Sequence, residues 1–279
     1  MCLAAGTQFA ISFARNQAGS TDAFGESLQL LYKNPTALAA GLPFAATLLA
    51  ILLVHELGHF FACRHHHIRS SYPFFIPAPT LIGTLGAFIL IRSPFRNNRE
   101  LFDMGASGPL AGFIVAVPAL AYGVLHAKIV PNLTANSDLM FGTPLLLRLM
   151  EWLLHPGIAA NALLLHPVGR AAWAGLLATS LNLLPAVQLD GGHILRSLSP
   201  RAHRMASLIA PLGLVALGYF GGSNGVIWYV WAVLIFGSRF LRMGAVWDET
   251  PLDTPRRWGA VAAVAVLLLS FMVSPLQQR

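Results

Sequence analysis

The stretch LLVHELGHFFACRHHH, residues 52–67, decides how this chain is interpreted. It places His55, Glu56 and His59 in a run that is otherwise strongly apolar, where charge is costly to bury. HExxH on a helix puts two histidines four residues apart on one face, so both imidazoles can reach one metal ion. The glutamate projects beside them, where it can take a proton from an attacking water. The stretch predicts a metal site with its own general base; the alternative is two histidines satisfied by neighbouring helices.

The composition is that of a membrane protein. Of 279 residues, 56% are hydrophobic and only 10% are charged, against about 25% charged residues in soluble proteins. The net charge of +7 would suggest nucleic-acid binding in a soluble domain. Here the basic residues lie between apolar runs and set membrane topology instead, so no nucleic-acid partner is expected. Cys2 and Cys63 are far apart and indicate no disulfide framework.

Six segments are predicted as transmembrane helices in an all-α polytopic membrane protein. They are residues 43–63, 105–125, 170–185, 205–222, 226–240 and 258–274. If each segment crosses once, twelve basic residues fall on one side and four on the other. The basic side is expected to be cytoplasmic, which predicts a plasma or inner cell membrane and an active site toward the cytoplasm. The twelve are Arg64, Arg69, Arg92, Arg96, Arg99, Arg196, Arg201, Arg204, Arg239, Arg242, Arg256 and Arg257.

Three other regions do not fit a simple span. Residues 72–98 contain Pro and Gly at short intervals and predict a small re-entrant β-hairpin or extended segment beside a wet cavity. Residues 3–14 are apolar but too short to cross, and indicate either the remnant of a first transmembrane helix or an interfacial segment. Residues 143–155 predict a surface helix in which Arg148 and Glu151 can pair. The chain divides into an N-terminal segment, 1–42, a catalytic core, 43–200, and C-terminal transmembrane helices, 201–279.

A catalytic zinc site usually takes three protein ligands, so the two histidines need a partner. Cys63 lies about 12 Å along the helix axis from His55, which is too far for one ion. Asp190 follows Pro185, which stops a span, and precedes two glycines that permit a sharp turn inward. A solvated turn aspartate is the alternative. The full set of candidates is Cys63, His66 or His67, Asp190 and His193.

Glycines also mark the helix after the extended segment. Gly105, Gly108 and Gly112 predict close helix packing. Asp103 is expected to cap the N-terminus of that helix rather than to take part in chemistry.

Three motifs together resemble the site-2 proteases, a family of intramembrane zinc metalloproteases, over residues 43–200. They are HELGH at 55–59, GTLGAFI at 83–89 and NLLPAVQLDGGH at 182–193. The resemblance implies Zn²⁺ held by His55, His59 and Asp190, with Glu56 as catalytic base. It implies that Asn182 contacts the substrate or the oxyanion, although an interhelical hydrogen bond is an alternative role.

The resemblance also implies an extended edge that pairs with an unwound substrate strand. The implied substrate-binding residues are Gly83, Thr84, Leu85, Gly86 and Ala87. Some family members carry a PDZ domain, and no stretch here is long enough for one, so a PDZ-less member is expected. His193 is expected either to hydrogen-bond near the site or to cap the next helix.

The resulting hypothesis is a zinc-dependent intramembrane endopeptidase that cleaves transmembrane protein substrates within or beside their spans in the lipid bilayer. A divalent-metal transporter would use His55, His59 and Asp190 as transport ligands. An inactive homologue acting as a binding scaffold should have lost a ligand or the base.

Overall fold

The computed structural model describes residues 1–17, 29, 32–33, 35–78, 80, 82–131, 133, 139–158, 162–239 and 246–278. The described part is mostly helical. Its helices are α1 (Cys2–Ala14), α2 (Leu42–His65), α3 (Asn98–Leu125), α4 (Leu145–Leu154), α5 (Pro167–Asn182), α6 (Asp190–Leu198), α7 (Pro200–Gly221), α8 (Val226–Ser238) and α9 (Thr254–Ser270). Short 3₁₀ helices precede α2 at Pro35–Gly41 and α8 at Gly222–Gly225.

The strands form three separate antiparallel pairs, as far as the described residues show. They are β1 (Phe74–Pro77) with β2 (Thr84–Phe88), β3 (Lys128–Ile129) with β5 (Leu163–Leu164), and β4 (Leu139–Phe141) with β6 (Leu276–Gln278). The first pair is the hairpin predicted between α2 and α3. Its register pairs Phe75 with Ala87 and Pro77 with Thr84, and it shifts between these two pairs.

Three of the described helices are long and apolar enough to cross a membrane: Thr36–His65, Asn98–Leu125 and Pro200–Gly221. The other three predicted spans correspond to α5, α8 and α9, with 16, 13 and 17 residues. At 1.5 Å per residue these helices measure about 20–26 Å, less than the 30 Å of hydrocarbon. Six transmembrane helices are therefore not confirmed. The predicted end of the fifth span at residue 240, and Arg242 on the basic side, lie outside the described residues.

Helix α3 is the centre of the fold and packs on α2, α5, α6 and α9. Phe44 and Leu48 of α2, Leu120 of α3 and Leu176 of α5 are almost completely buried in the main core. The start of α3 is fixed by a side-chain cap, in which Asn97 Oδ1 accepts a hydrogen bond from the Glu100 amide at 2.9 Å. Asn97, and not the predicted Asp103, is therefore the N-cap, because the helix begins five residues before Asp103.

The chain from Val246 to Asp253 returns to the start of α3 as a connecting strap. The amides of Trp247 and Asp248 donate to the Arg96 carbonyl at 3.2 and 2.9 Å. Asn98 Nδ2 donates to the Thr250 carbonyl at 3.2 Å, and Arg196 of α6 forms a 3.1 Å ion pair with Glu249. The strap therefore joins the two helices that border the hairpin and the Asp190 turn.

Candidate active site

The HExxH histidines lie one turn apart on the face of α2 that packs against α3. Both are 4% exposed, and their rings meet edge to face at 4.9 Å. His55 Nε2 lies 3.2 Å and His59 Nε2 3.4 Å from the same Asp190 oxygen, Oδ2. Asp190 is the first residue of α6. The structure therefore brings together the three residues predicted as ligands, although His55 and Asp190 are 135 positions apart in the chain.

Each imidazole is oriented by its surroundings. His59 Nδ1 donates a 2.6 Å hydrogen bond to the Met104 carbonyl of α3. This bond fixes the ring and leaves Nε2 with its lone pair toward Asp190, as metal-binding histidines are usually arranged. Asn182, the last residue of α5, places Nδ2 3.5 Å from His55 Nε2. Asn182 thus lies at the site, as the motif resemblance implied.

The three donor atoms fit a zinc ion. Tetrahedral zinc with bonds of about 2.0–2.1 Å places neighbouring donors about 3.3 Å apart, and the two nitrogen–oxygen distances are 3.2 and 3.4 Å. All three donor atoms lie within 4.8 Å of one another. Two imidazoles and one carboxylate are a donor set that suits Zn²⁺ and leave a fourth position for a reactant. Among the described residues, this is the group of three or more such side chains that could hold a metal ion.

Glu56 lies in a cavity of about 670 Å³ that also reaches His59, Asp190 and Asn182. Its side chain is buried, at 6% exposure, and hydrogen-bonds the backbone of Ile89. One wall of the cavity is the chain from Ala87 to Phe95, and the opposite wall is Gln188–Asp190 with Asn182 and His193. The arrangement holds the Glu56 carboxyl group beside the three predicted ligands, in a space large enough for a segment of extended peptide.

The glycines of α3 make room for these side chains. A Cβ atom at Gly108 would overlap the His59 imidazole, and one at Gly112 would stand 3.1 Å from His55 Cβ. A Cβ at Gly105 would lie 2.8 Å from His193 Cβ, where α6 crosses. The close packing predicted from the three glycines is confirmed. They let α3 pack directly against the predicted metal ligands.

The predicted substrate-binding stretch, residues 83–87, reaches the cavity at the C-terminal end of the stretch. Of the five predicted residues, Ala87 lines the cavity. Thr84 instead holds the hairpin together: its buried hydroxyl donates to the Ile76 carbonyl at 2.9 Å and accepts from the Gly86 amide at 3.0 Å. Gly83, with φ +80°, forms the turn against the start of α1. The Leu85 side chain lies outside the described part of the structure.

The other candidates for a third ligand are elsewhere. Cys63 is buried with Leu101 and Met104 in a small cluster below the site. His66 Nε2 binds Asp103 Oδ2 at 2.8 Å, and His67 lies beyond the end of α2. His193 lines the cavity, but it is not within the group of converging donors.

Two features of the site were not predicted from the sequence. The first is the hydrogen bond from His59 to the Met104 carbonyl, which cannot be predicted from residue types because every residue has a backbone carbonyl. The second is a charged network in which Asp103 accepts from Arg256 Nε at 2.8 Å and Nη2 at 2.6 Å as well as from His66. The hydrogen bonds to Asp103 raise the pKa of Arg256. Asp103, an acidic residue near the start of an apolar helix, was the sequence feature from which this network could have been suspected.

The comparison with protein families and curated proteins agrees with the motifs. The model of peptidase family M50 matches residues 43–217. The chain is 31% identical over 241 residues to the probable zinc metalloprotease EGY1, chloroplastic, of Oryza sativa subsp. japonica, covering 84% of this chain and 41% of that protein. It is 32% identical over 257 residues to the probable zinc metalloprotease EGY2, chloroplastic, of Oryza sativa subsp. indica, covering 89% and 45%.

A third relative is the probable zinc metalloprotease EGY1, chloroplastic, of Arabidopsis thaliana, at 29% identity over 241 residues, covering 85% of this chain and 43% of that protein. The chain thus spans less than half the length of the curated relatives it matches. No solved structure matches it. The resemblance to the site-2 proteases is confirmed at the level of the family, and the chain belongs to peptidase family M50.

Proposed function

We propose that the chain is a zinc-dependent intramembrane endopeptidase that hydrolyses peptide bonds within or beside transmembrane segments of other membrane proteins. The observation that supports this most directly is the convergence of His55 Nε2, His59 Nε2 and Asp190 Oδ2 beside Glu56, in a cavity bordered by a strand. The proposal extends the names of the relatives, which are zinc metalloproteases. Membrane association follows from the three long apolar helices.

In this proposal His55, His59 and Asp190 are the zinc ligands. When bound, zinc polarises the scissile carbonyl and makes water at the site more acidic. Glu56 accepts the proton of the attacking water and delivers it to the nitrogen of the leaving amine. Asn182, whose amide nitrogen is beside the His55 ring, donates a hydrogen bond to the oxygen that becomes negative.

The substrate occupies the cavity as an unwound strand, because a helix hides its peptide bonds in internal hydrogen bonds. The Ser71 amide donates to the Leu90 carbonyl, and the Arg92 amide donates to the Arg69 carbonyl. Backbone groups of successive strand residues point to alternate sides. Those of Ile89 and Ile91 therefore face away from residues 69–71, and both residues line the cavity. This edge, extended from Ala87, is the proposed pairing surface for substrate.

The location and the orientation are part of the same proposal. The excess of arginines at the α2–α3 and α8–α9 ends supports a cytoplasmic position for the site in a plasma or inner membrane. The curated relatives are named as chloroplastic proteins, so labelling of a cysteine placed at His67 in intact cells and in inverted vesicles is the direct test. The division into 1–42, 43–200 and 201–279 also stays a prediction.

The deciding experiment uses the purified full chain in detergent with zinc, incubated with a panel of single-span membrane substrates. Glu56→Gln keeps all three ligands and should bind zinc but cleave no substrate. A chelator should abolish cleavage by the wild type, and added zinc should restore it. Equal cleavage by both forms would remove the protease assignment. Metal uptake into vesicles by both forms would favour the transporter alternative.

A further inference from the structure

His193 is a partly buried histidine of the cavity that the proposed mechanism does not use. It lies one turn after Asp190 on α6 and lines the same cavity as Glu56 and His59. Its Nδ1 atom is buried and has no hydrogen-bond partner among the described residues. Buried polar atoms in folded proteins are almost always hydrogen-bonded, so an orphaned ring nitrogen beside a metal site calls for a partner.

The Asp190 carboxylate lies one turn earlier on the same helix. Its Oδ2 atom faces both HExxH histidines, whereas no described residue bonds Oδ1. Side chains on a helix point back toward the N-terminus, so a residue three positions later covers the one before it. The His193 ring is close enough to interact electrostatically with the Asp190 carboxylate.

The packing around His193 leaves it little freedom to serve elsewhere. Gly105 of α3 packs so closely here that a Cβ atom added to it would lie 2.8 Å from His193 Cβ and 3.1 Å from the Asp190 carbonyl oxygen. On the cavity side, the Phe95 ring lies 6.2 Å from the His193 ring, centroid to centroid. Carboxylates that bind metals are themselves usually hydrogen-bonded, and these outer partners set the angle of the carboxylate.

We infer that His193 is a positioning residue for the metal site: when zinc is bound, Nδ1 carries the single ring proton and donates it to Asp190 Oδ1, which holds Oδ2 toward the two imidazoles. The inference deepens the proposed function because it assigns the residue that orients the third zinc ligand. It concerns metal affinity and not the cleavage step, so it can be tested without substrate.

The test measures the zinc dissociation constant of the full chain in detergent by competition with a fluorescent chelator. His193→Phe keeps the ring shape and removes both nitrogens, and should weaken zinc binding by about 10–100-fold. An asparagine amide can occupy the position of Nδ1 and a glutamine amide that of Nε2. His193→Asn should therefore stay within about threefold of wild type, and His193→Gln should behave like His193→Phe.

His126→Phe is the matched control, because His126 lies at the far end of α3 with its Nδ1 bonded to the Tyr122 carbonyl at 2.9 Å. It should leave zinc affinity unchanged. The unfolding temperature of each zinc-free variant is measured alongside. Wild-type affinity in His193→Phe would overturn the inference, as would rescue by glutamine instead of asparagine. Equal losses in His193→Asn and His193→Phe, with lowered zinc-free stability, would assign His193 a packing role instead.

The outcome is separable from that of the proposed function. A wild type that binds zinc with the predicted ranking of variants but cleaves no substrate would contradict the protease proposal and leave the His193 assignment standing. If cleavage depends on Glu56 as predicted but zinc affinity is the same in all His193 variants, the protease proposal stands and the His193 assignment is refuted.

Discussion

Replacing Gly108 by alanine should remove zinc from the site without changing a ligand. The added Cβ would stand 2.6 Å from His59 Cδ2 and closer still to the other ring atoms on that side. Ordinary contacts between carbon atoms are about 3.5–4.0 Å, so the ring must move by about 1 Å. His59 has no free direction in which to move, because its Nδ1 is bonded to the Met104 carbonyl and its ring packs on His55.

A shift of about 1 Å is half the length of a zinc–nitrogen bond, which is about 2.0–2.1 Å. We therefore expect the zinc dissociation constant to rise by about 100-fold or more, equivalent to about 2.7 kcal/mol. The stability of the zinc-free form should change less. Alanine improves helix propensity by about 1 kcal/mol, while overpacking costs about 1–3 kcal/mol.

Two other glycines give a graded comparison. Gly112→Ala places its Cβ 3.1–3.2 Å from His55 Cβ and Nδ1, a contact that shifts of a few tenths of an ångström relieve. This variant should lose less than about tenfold in affinity. Gly213→Ala on α7 meets no atom within 4 Å and should leave affinity unchanged. Chelator competition and protein-bound zinc by mass spectrometry measure all three. Zinc binding by Gly108→Ala as tight as that of the wild type would refute the reasoning.

Three further changes separate the metal site from its surroundings. Thr84→Val removes the buried hydroxyl that holds the hairpin together. The rate of substrate cleavage should fall about tenfold or more while zinc affinity stays constant. Loss of zinc as well would show that the hairpin supports the ligands. Asp103→Ala leaves Arg256 and His66 without their shared acceptor. It should lower the free energy of unfolding by about 1 kcal/mol, or the unfolding temperature by about 2–4 °C, and Arg256→Lys should give a smaller decrease. An unchanged unfolding temperature of Asp103→Ala would contradict this. Burial raises the pKa of Glu151 to about 7 from 4.5, and nearby Arg148 opposes this rise. The folded state therefore favours the neutral carboxyl group, and the free energy of unfolding should decline as pH rises from about 4.5 to 7. Glu151→Gln should show a smaller decline in unfolding temperature between pH 5 and pH 8, and parallel curves for the two proteins would argue against it.

The sequence was most informative where chemistry restricts the choice of residue. Two histidines at HExxH spacing and an acidic residue after a proline predicted three groups that do converge, and the glycines of α3 predicted close packing. The edge of the hairpin was less predictable. Its register shifts between Phe75 and Pro77, and such irregularities come from local backbone geometry and not from residue type.

Contacts between distant parts of the chain could not be predicted where no motif marks the residues. Asp103 and Arg256 are 153 positions apart, and only the folded chain brings α9 to the start of α3. The Arg148–Glu151 pair that helical spacing allows is not a close ion pair in the structure: Arg148 Nε donates to Thr143 Oγ1 at 3.0 Å and Glu151 is buried, although Arg148 is near enough to oppose the rise in the Glu151 pKa. Helical spacing permits such a pair, but burial of one partner decides against it.

The strap from Val246 to Asp253 bears on how the protein can be shortened. The family match ends at residue 217, yet the first turn of α3 depends on Trp247, Asp248 and Thr250 for backbone partners. A fragment cut at 217 would carry every zinc ligand and the base, but the carbonyl of Arg96 and the Asn98 amide would lose their protein partners. The smallest fragment that keeps the cavity walls in place should therefore extend through the first turn of α9, at Arg256.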